Sequence, residues 1–151
     1  MFSKITISAI GKTTKEFQEI ENHYIKQLKT KLVLQIHNHL SHLSKEEQIE
    51  KESILLKNSN SSSEYIILLD KSGIQLSSEE FASKMNKWSS NAKSIRFIIG
   101  GSFGVSEELK NSSDFILSFS KTTFPHQIAR VILLEQIYRS ETILLGSKYH
   151  K

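Results

Sequence analysis

Four groups of residues carry the chemistry this sequence could do. A glycine run, Gly100-Gly101-Ser102-Phe103-Gly104, follows a short apolar stretch of Ile95, Phe97, Ile98 and Ile99. Such a run lets backbone come close to a ligand or makes a tight turn. It is neither G-x-G-x-x-G nor G-x-x-x-x-G-K-[ST], so nucleotide binding through a standard phosphate loop is not expected. A hydroxyl-rich run, Ser118-Phe119-Ser120-Lys121-Thr122-Thr123-Phe124, follows a second apolar stretch and feeds through Pro125 into a long helical pattern. Ligands of α/β proteins settle where strand C-termini meet helix starts, which is where both runs lie. His37, His39 and His42 are close together, but no Asp, Glu or Cys stands at an established ligand spacing. A polar loop leaving a strand accounts for them, and no metal is expected. Arg130, Glu135 and Arg139 stand in an otherwise apolar helical pattern, where charges are paired or functional rather than idle. Glu135 and Arg139 have the spacing to pair on one face.

The elements that must position these groups alternate. Ile5, Ile7 and Ile10 give a strand ended by Gly11. Phe17, Ile20, Tyr24 and Leu28 give an amphipathic helix over 14–29. Leu32, Leu34 and Ile36 give a second strand. Ser44 and Glu47 have capping-box spacing ahead of a helix over about 45–57. Asn58 to Ser63 is a flexible connection. Tyr65 to Leu69 is a continuous apolar run, expected as a strand covered on both faces and turned at Asp70-Lys71-Ser72-Gly73. Ser77 or Ser78 caps a third helix bearing Phe81, Met85 and Trp88. The strand at 95–99, a short helix near 106–110, a strand at 115–118 and a last helix reaching Tyr138 complete the order. This alternation predicts an α/β fold, a mostly parallel sheet with helices on both faces, in a single domain over 1–151. The last helix is apolar on more than one face (Ile128, Val131, Ile132, Leu133, Leu134, Ile137), so it must be buried on more than one side.

The totals agree. A chain of 151 residues with 38% hydrophobic content can build one core. A net charge of +4 makes an anionic partner plausible without requiring one. The absence of cysteine excludes disulfides and thiolate chemistry. No stretch is long and apolar enough for a membrane span, and the first twelve residues do not read as a signal peptide, so a cytoplasmic protein is expected.

Several of these features fall in one order: Ala9-Ile10-Gly11-Lys12, Leu69-Asp70 with Gly73, Ile98 to Ser102 with Gly104, Leu117 to Gln127, Arg130-Val131, Glu135 to Arg139, and a terminal Tyr149-His150-Lys151. This pattern spans essentially the whole chain and closely resembles the small single-domain SPOUT methyltransferases of the RlmH family. The resemblance implies transfer of a methyl group from S-adenosylmethionine to N3 of a pseudouridine in large-subunit (23S) ribosomal RNA. It implies a trefoil knot over about 95–151, and a homodimer whose active site forms where two subunits meet. With no appended RNA-binding domain in view, a target pre-shaped by an assembled ribosome is expected. A non-catalytic RNA-binding or ribosome-assembly protein of the same fold, or a SPOUT enzyme acting on another RNA such as tRNA, are the competing readings.

The same resemblance implies where the work is done. Leu69, Gly100 and the segment Phe119, Ser120, Lys121, Thr122, Thr123 and Phe124 are expected to hold the cofactor. His150, Tyr149 and Arg130 are expected at the catalytic centre, His150 as the favoured base. Arg130 is expected to meet an RNA phosphate or the partner subunit, and Arg139, His126, Lys148 and Lys151 to meet RNA. His126 could equally hold the helix start. Phe103 departs from the pattern, where a small or polar residue is expected.

Overall fold

A computed structural model describes residues 2–57 and 63–151. The alternating and continuous apolar runs form strands β1 (Lys4–Ile10), β2 (Leu32–His37), β3 (Glu64–Gln75), β4 (Ser94–Ile99) and β5 (Phe115–Ser118). Between and after them run α1 (Lys15–Gln27), α2 (Lys45–Lys57), α3 (Ser78–Asn91), α4 (Glu107–Ser112) and α5 (His126–Leu144). The strands make one parallel sheet in the order β2-β1-β4-β3-β5. β4 is central and buried along its whole length, including Arg96, which pairs with Glu64 at 2.8 Å.

Both faces are covered. On one, Ile5, Ile7, Phe97, Ile67 and Leu117 meet Phe81, Met85 and Trp88 of α3 and Leu133, Leu134 and Ile137 of α5. On the other, Ile10, Ile98 and Leu68 meet Leu56 of α2 and Leu109 of α4. Each such fully buried side chain contributes about 1.5–3 kcal/mol. The caps fall as expected. Ser77 is the residue that caps α3: its hydroxyl accepts from the Glu80 amide at 3.1 Å, and Glu80 reaches back to the Ser77 amide at 2.7 Å. Ser44 accepts from the Glu47 amide at 3.3 Å ahead of α2. The flexible connection expected at 58–63 lies, Ser63 aside, outside the described residues.

Two elements are longer than expected. β3 does not turn back at Asp70-Gly73. It bulges there and resumes pairing with β5 at Ile74↔Leu117 and Gln75↔Ser118. The bulge is closed by Asp70, whose carboxylate accepts from the Ser72 amide at 2.9 Å. α5 continues past Tyr138 although its next residues are polar. Ser140, Glu141 and Thr142 are buried, and the Glu141 carboxylate accepts the Lys29 and Thr30 amides, each at 2.9 Å. The helix end thus ties down the α1–β2 turn.

Candidate active site

A cavity of about 520 Å³ opens at the C-terminal ends of β3, β4 and β5. Leu69 and Asp70 form one wall, and Ile99, Gly100 and Gly101 a second. Leu117 through Ser120 and Thr122 through Phe124 form the third. Its volume is that of a small-molecule site. Of the residues expected to hold a cofactor, Leu69, Gly100, Phe119, Ser120, Thr122, Thr123 and Phe124 line this one cavity. Lys121 is exposed on the same loop and does not line it.

Local chemistry fixes these turns. A Cβ on Gly100 would stand 2.8 Å from Val105 Cγ1, and one on Gly101 would stand 2.8 Å from Glu52 Oε1. Backbone, rather than side chain, therefore faces the cavity at the end of β4. On the opposite wall the hydroxyls hold the loop. Ser118 Oγ donates to the Ser120 carbonyl at 2.9 Å, and Ser120 Oγ accepts from the Thr122 amide at 3.1 Å. Burial pushes the Asp70 carboxyl up. The hydroxyl and amide of Ser72, with Lys110 and Lys71 nearby, outweigh that and hold it below its usual range. An ionised carboxylate therefore stands in the cavity wall, beside Lys71 and on the same lining as Lys45.

The C-terminal tail folds elsewhere, against the middle of α5 and the start of α3. Arg139 pairs with Glu135 at 2.8 Å, as their spacing predicted. The Tyr149 hydroxyl donates to the same Glu135 at 3.1 Å, and its ring packs on Tyr138 and under the Arg139 guanidinium. His150 Nδ1 lies 3.1 Å from Arg139 Nη1, and its Nε2 lies 2.8 Å from Glu79 Oε1. A guanidinium only donates, so Nδ1 accepts and Nε2 carries the proton that goes to Glu79. The network thereby assigns the tautomer. Lys148 and Lys151 are exposed beside it.

Comparison with known proteins decides what this arrangement is. A family model described as "Predicted SPOUT methyltransferase" matches residues 3–150. The relatives named ribosomal RNA large subunit methyltransferase H include the following three. The one from Acholeplasma laidlawii is 42% identical over 98% of this chain and 99% of its own. That from Dictyoglomus thermophilum is 45% identical over 97% and 98%. That from Caldicellulosiruptor bescii is 50% identical over 68% and 67%. The chain belongs to the SPOUT methyltransferases.

Arg130 of this SPOUT chain is placed differently from expectation, and His126 falls to one of its two expected roles. Arg130, expected to touch an RNA phosphate or a partner subunit, is fully buried within its own chain (0% exposed). Its Nε donates to Glu21 Oε1 at 2.5 Å and its Nη2 to Thr13 Oγ1 at 2.6 Å, while Nη1 is buried without a partner among the described residues. A cation this deep must be neutralised, and its partner comes from another element: Glu21, 2% exposed, lies on the same stripe of α1 as Phe17, Tyr24 and Leu28. His126 is tucked beneath Gly11, packed edge-on against His39 with centroids 5.5 Å apart. Of its two expected roles, holding the helix start is the one these surroundings fit.

That burial sets a pH dependence. Burial lowers the His126 pKa, as do His39 and Arg130, and outweighs a hydrogen bond with the Lys12 backbone. Burial, with Arg96, lowers that of His37 too. Each folded value lies below the unfolded one, so stability is complete above the ordinary histidine pKa of about 6.5. It falls as the pH drops below that, because the unfolded chain takes protons the folded chain refuses. Urea unfolding at pH 7.5 and pH 5.5 will show this loss, and His126→Gln will reduce it. An unchanged loss in the variant would remove His126 as a source.

The cavity also includes residues to which the sequence reading gave no site role. Asp70 reads locally as a turn former only. Lys45 comes from the start of α2, distant in sequence, and nothing in its local pattern marks it.

Proposed function

We propose that this chain transfers a methyl group from S-adenosylmethionine to N3 of a pseudouridine in 23S ribosomal RNA, acting as a homodimer on assembled ribosomes in the cytoplasm. The observation that carries the reading is the cavity made of backbone turns at three strand ends, in a chain whose near full-length relatives carry the name of an rRNA methyltransferase. The residues present fit the cofactor. Glycine backbone and the 118–122 turn expose amide and carbonyl groups able to satisfy a purine edge, Leu69, Phe119 and Phe124 give apolar walls, and the Asp70 carboxylate suits a cationic ligand. When bound, the cofactor supplies an electrophilic methyl on a sulfonium. The chain's own work is to hold the nucleophilic nitrogen in line, exclude water and accept or direct its proton.

For that last step His150 is the candidate. Its free lone pair, on Nδ1, is held by Arg139, so it must leave Arg139 before it can take a proton. Tyr149 and Glu135 anchor the same tail. From Ala129, in the cavity wall, to Arg139, which holds the tail, α5 rises about 15 Å. The tail is thus set well along the helix from its own cavity, which favours its serving the cavity of a second subunit. Phe124 and Ile128, 36% and 39% exposed, continue an apolar surface with Ile132 at the knot end of α5. That surface suits a partner of the same kind. The trefoil knot over about 95–151 belongs to this proposal: α5 returns from the edge strand β5 to pack on α1 and α3. A backbone trace that closes no loop around α5 would remove it.

Transfer of labelled methyl to undermethylated ribosomes, free large subunits and naked rRNA tests the reading, with ribosomes alone expected to be labelled on a pseudouridine. Label on tRNA alone would move the target, and failure to bind S-adenosylmethionine would leave only an assembly role. His150→Ala is expected to lower kcat about 100-fold, with cofactor affinity intact; a kcat within twofold of wild type sinks the base assignment. Mixing His150→Ala chains with a cavity-filled Thr123→Trp variant will restore activity if each site draws on two subunits. No restoration means that each chain works alone.

A further inference from the structure

We propose that Phe103 and Lys45 form a stacking site for an unpaired RNA nucleotide neighbouring the one that is methylated. The proposal rests on the reading of this chain as an RNA methyltransferase and adds a substrate subsite to it.

The Gly101–Gly104 turn is closed by the Gly104 amide donating to the Gly101 carbonyl at 3.0 Å, and Gly104 adopts φ +79°. This turn lifts Phe103 to the rim of the cofactor cavity, where the side chain is 49% exposed. A phenylalanine so exposed at a turn tip contributes little to the core. Beyond the rim a second cavity of about 440 Å³ opens, with His39, Ser41 and Gln48 on its far side. Lys45, Ser102 and Phe103 belong to both cavities, so the ring stands on the boundary between them.

Lys45 makes the site electrostatically specific. Its Nζ lies 5.4 Å from the Phe103 ring centroid, over the face. Among the described residues no carboxylate pairs with it. It is the first residue of α2, where a cation opposes the helix dipole, so helix stability does not account for it. A half-exposed ring with an ammonium over one face leaves its other face for a base to stack on and a cation for the phosphate to meet. The adjoining cofactor cavity fixes which nucleotide this is: one flanking a target held at the cavity mouth.

The test uses wild-type protein and Phe103→Leu, Phe103→Tyr and Lys45→Ala, with undermethylated ribosomes as substrate. Steady-state transfer gives KM and kcat, and calorimetry gives the affinity for S-adenosylmethionine. Stacking of one base predicts a KM about 5- to 150-fold higher for Phe103→Leu, which keeps the apolar volume but removes the ring. Phe103→Tyr should restore the wild-type KM. Lys45→Ala should raise KM and flatten its dependence on salt. If Phe103→Leu leaves KM unchanged while wild type methylates normally, the subsite is wrong and the enzyme reading stands. If cofactor affinity falls as KM rises, Phe103 is a wall of the cofactor cavity and the subsite is again wrong. If wild type methylates no RNA, the underlying reading fails and the subsite fails with it.

Discussion

Replacing Arg130 by methionine will destabilise this protein by about 3–5 kcal/mol, because it leaves the Glu21 carboxylate buried without its cation. Glu21 is 2% exposed and Arg130 wholly enclosed, so water cannot take over the solvation of either. Thr13 loses its donor as well. Removing both charges together, as Glu21→Leu with Arg130→Met, is expected to recover most of that loss, since a buried pair exchanged for apolar side chains of similar volume is often neutral. Urea denaturation of the two single variants and the double variant measures this directly. Methyl transfer by the double variant decides the larger question. A purely architectural Arg130 predicts that activity returns with stability. Restored stability with activity still absent would return Arg130 to the reacting centre, in a conformation other than this one. A single variant as stable as wild type would sink the ion-pair argument itself.

The contrast between Arg130 and Arg139 shows where sequence reading holds and where it stops. Arg139 sits four residues after Glu135 on one helix, so spacing alone identifies its partner. Arg130 pairs with a residue on α1, and only the packing of α5 across α1 brings the two together. The same division runs through the site. Gly100, Leu69 and the 119–124 run end apolar stretches in a β/α alternation, so parallel topology carries them to one edge without any knowledge of side-chain contacts. Lys45 is brought there by the crossover through α2, and the site of the tail is set by His150 meeting Glu79 of α3. Neither leaves a periodic trace. β3 runs beyond its local pattern for a related reason. Asp70, Ser72 and Gly73 are turn formers locally, and pairing with β5 overrides that preference.

That override makes Gly73 the position where the smallest change will do most damage. A Cβ there would stand 2.6 Å from the Ile116 carbonyl oxygen and 2.7 Å from the carbonyl carbons of Ile116 and Leu117. All three are backbone atoms, so no rotamer change relieves the clash and β5 must move away from β3. β5 ends in Leu117 and Ser118 of the cavity wall and leads directly into Phe119, so Gly73→Ala should weaken cofactor binding as well as stability. The expected loss is about 3 kcal/mol, the upper end for overpacking, or roughly 6–12 °C in Tm for a chain this size. Gly146→Ala is the matching control. Gly146 has φ +66° with nothing within 4 Å of its Cβ position, so it incurs only the left-handed penalty of about 1–2 kcal/mol and leaves the cavity untouched. Thermal unfolding and cofactor titration of the two variants separate strand displacement from backbone strain. If both lose similar stability and neither loses affinity, β5 accommodates the methyl group, and the cavity wall does not depend on close β3–β5 contact.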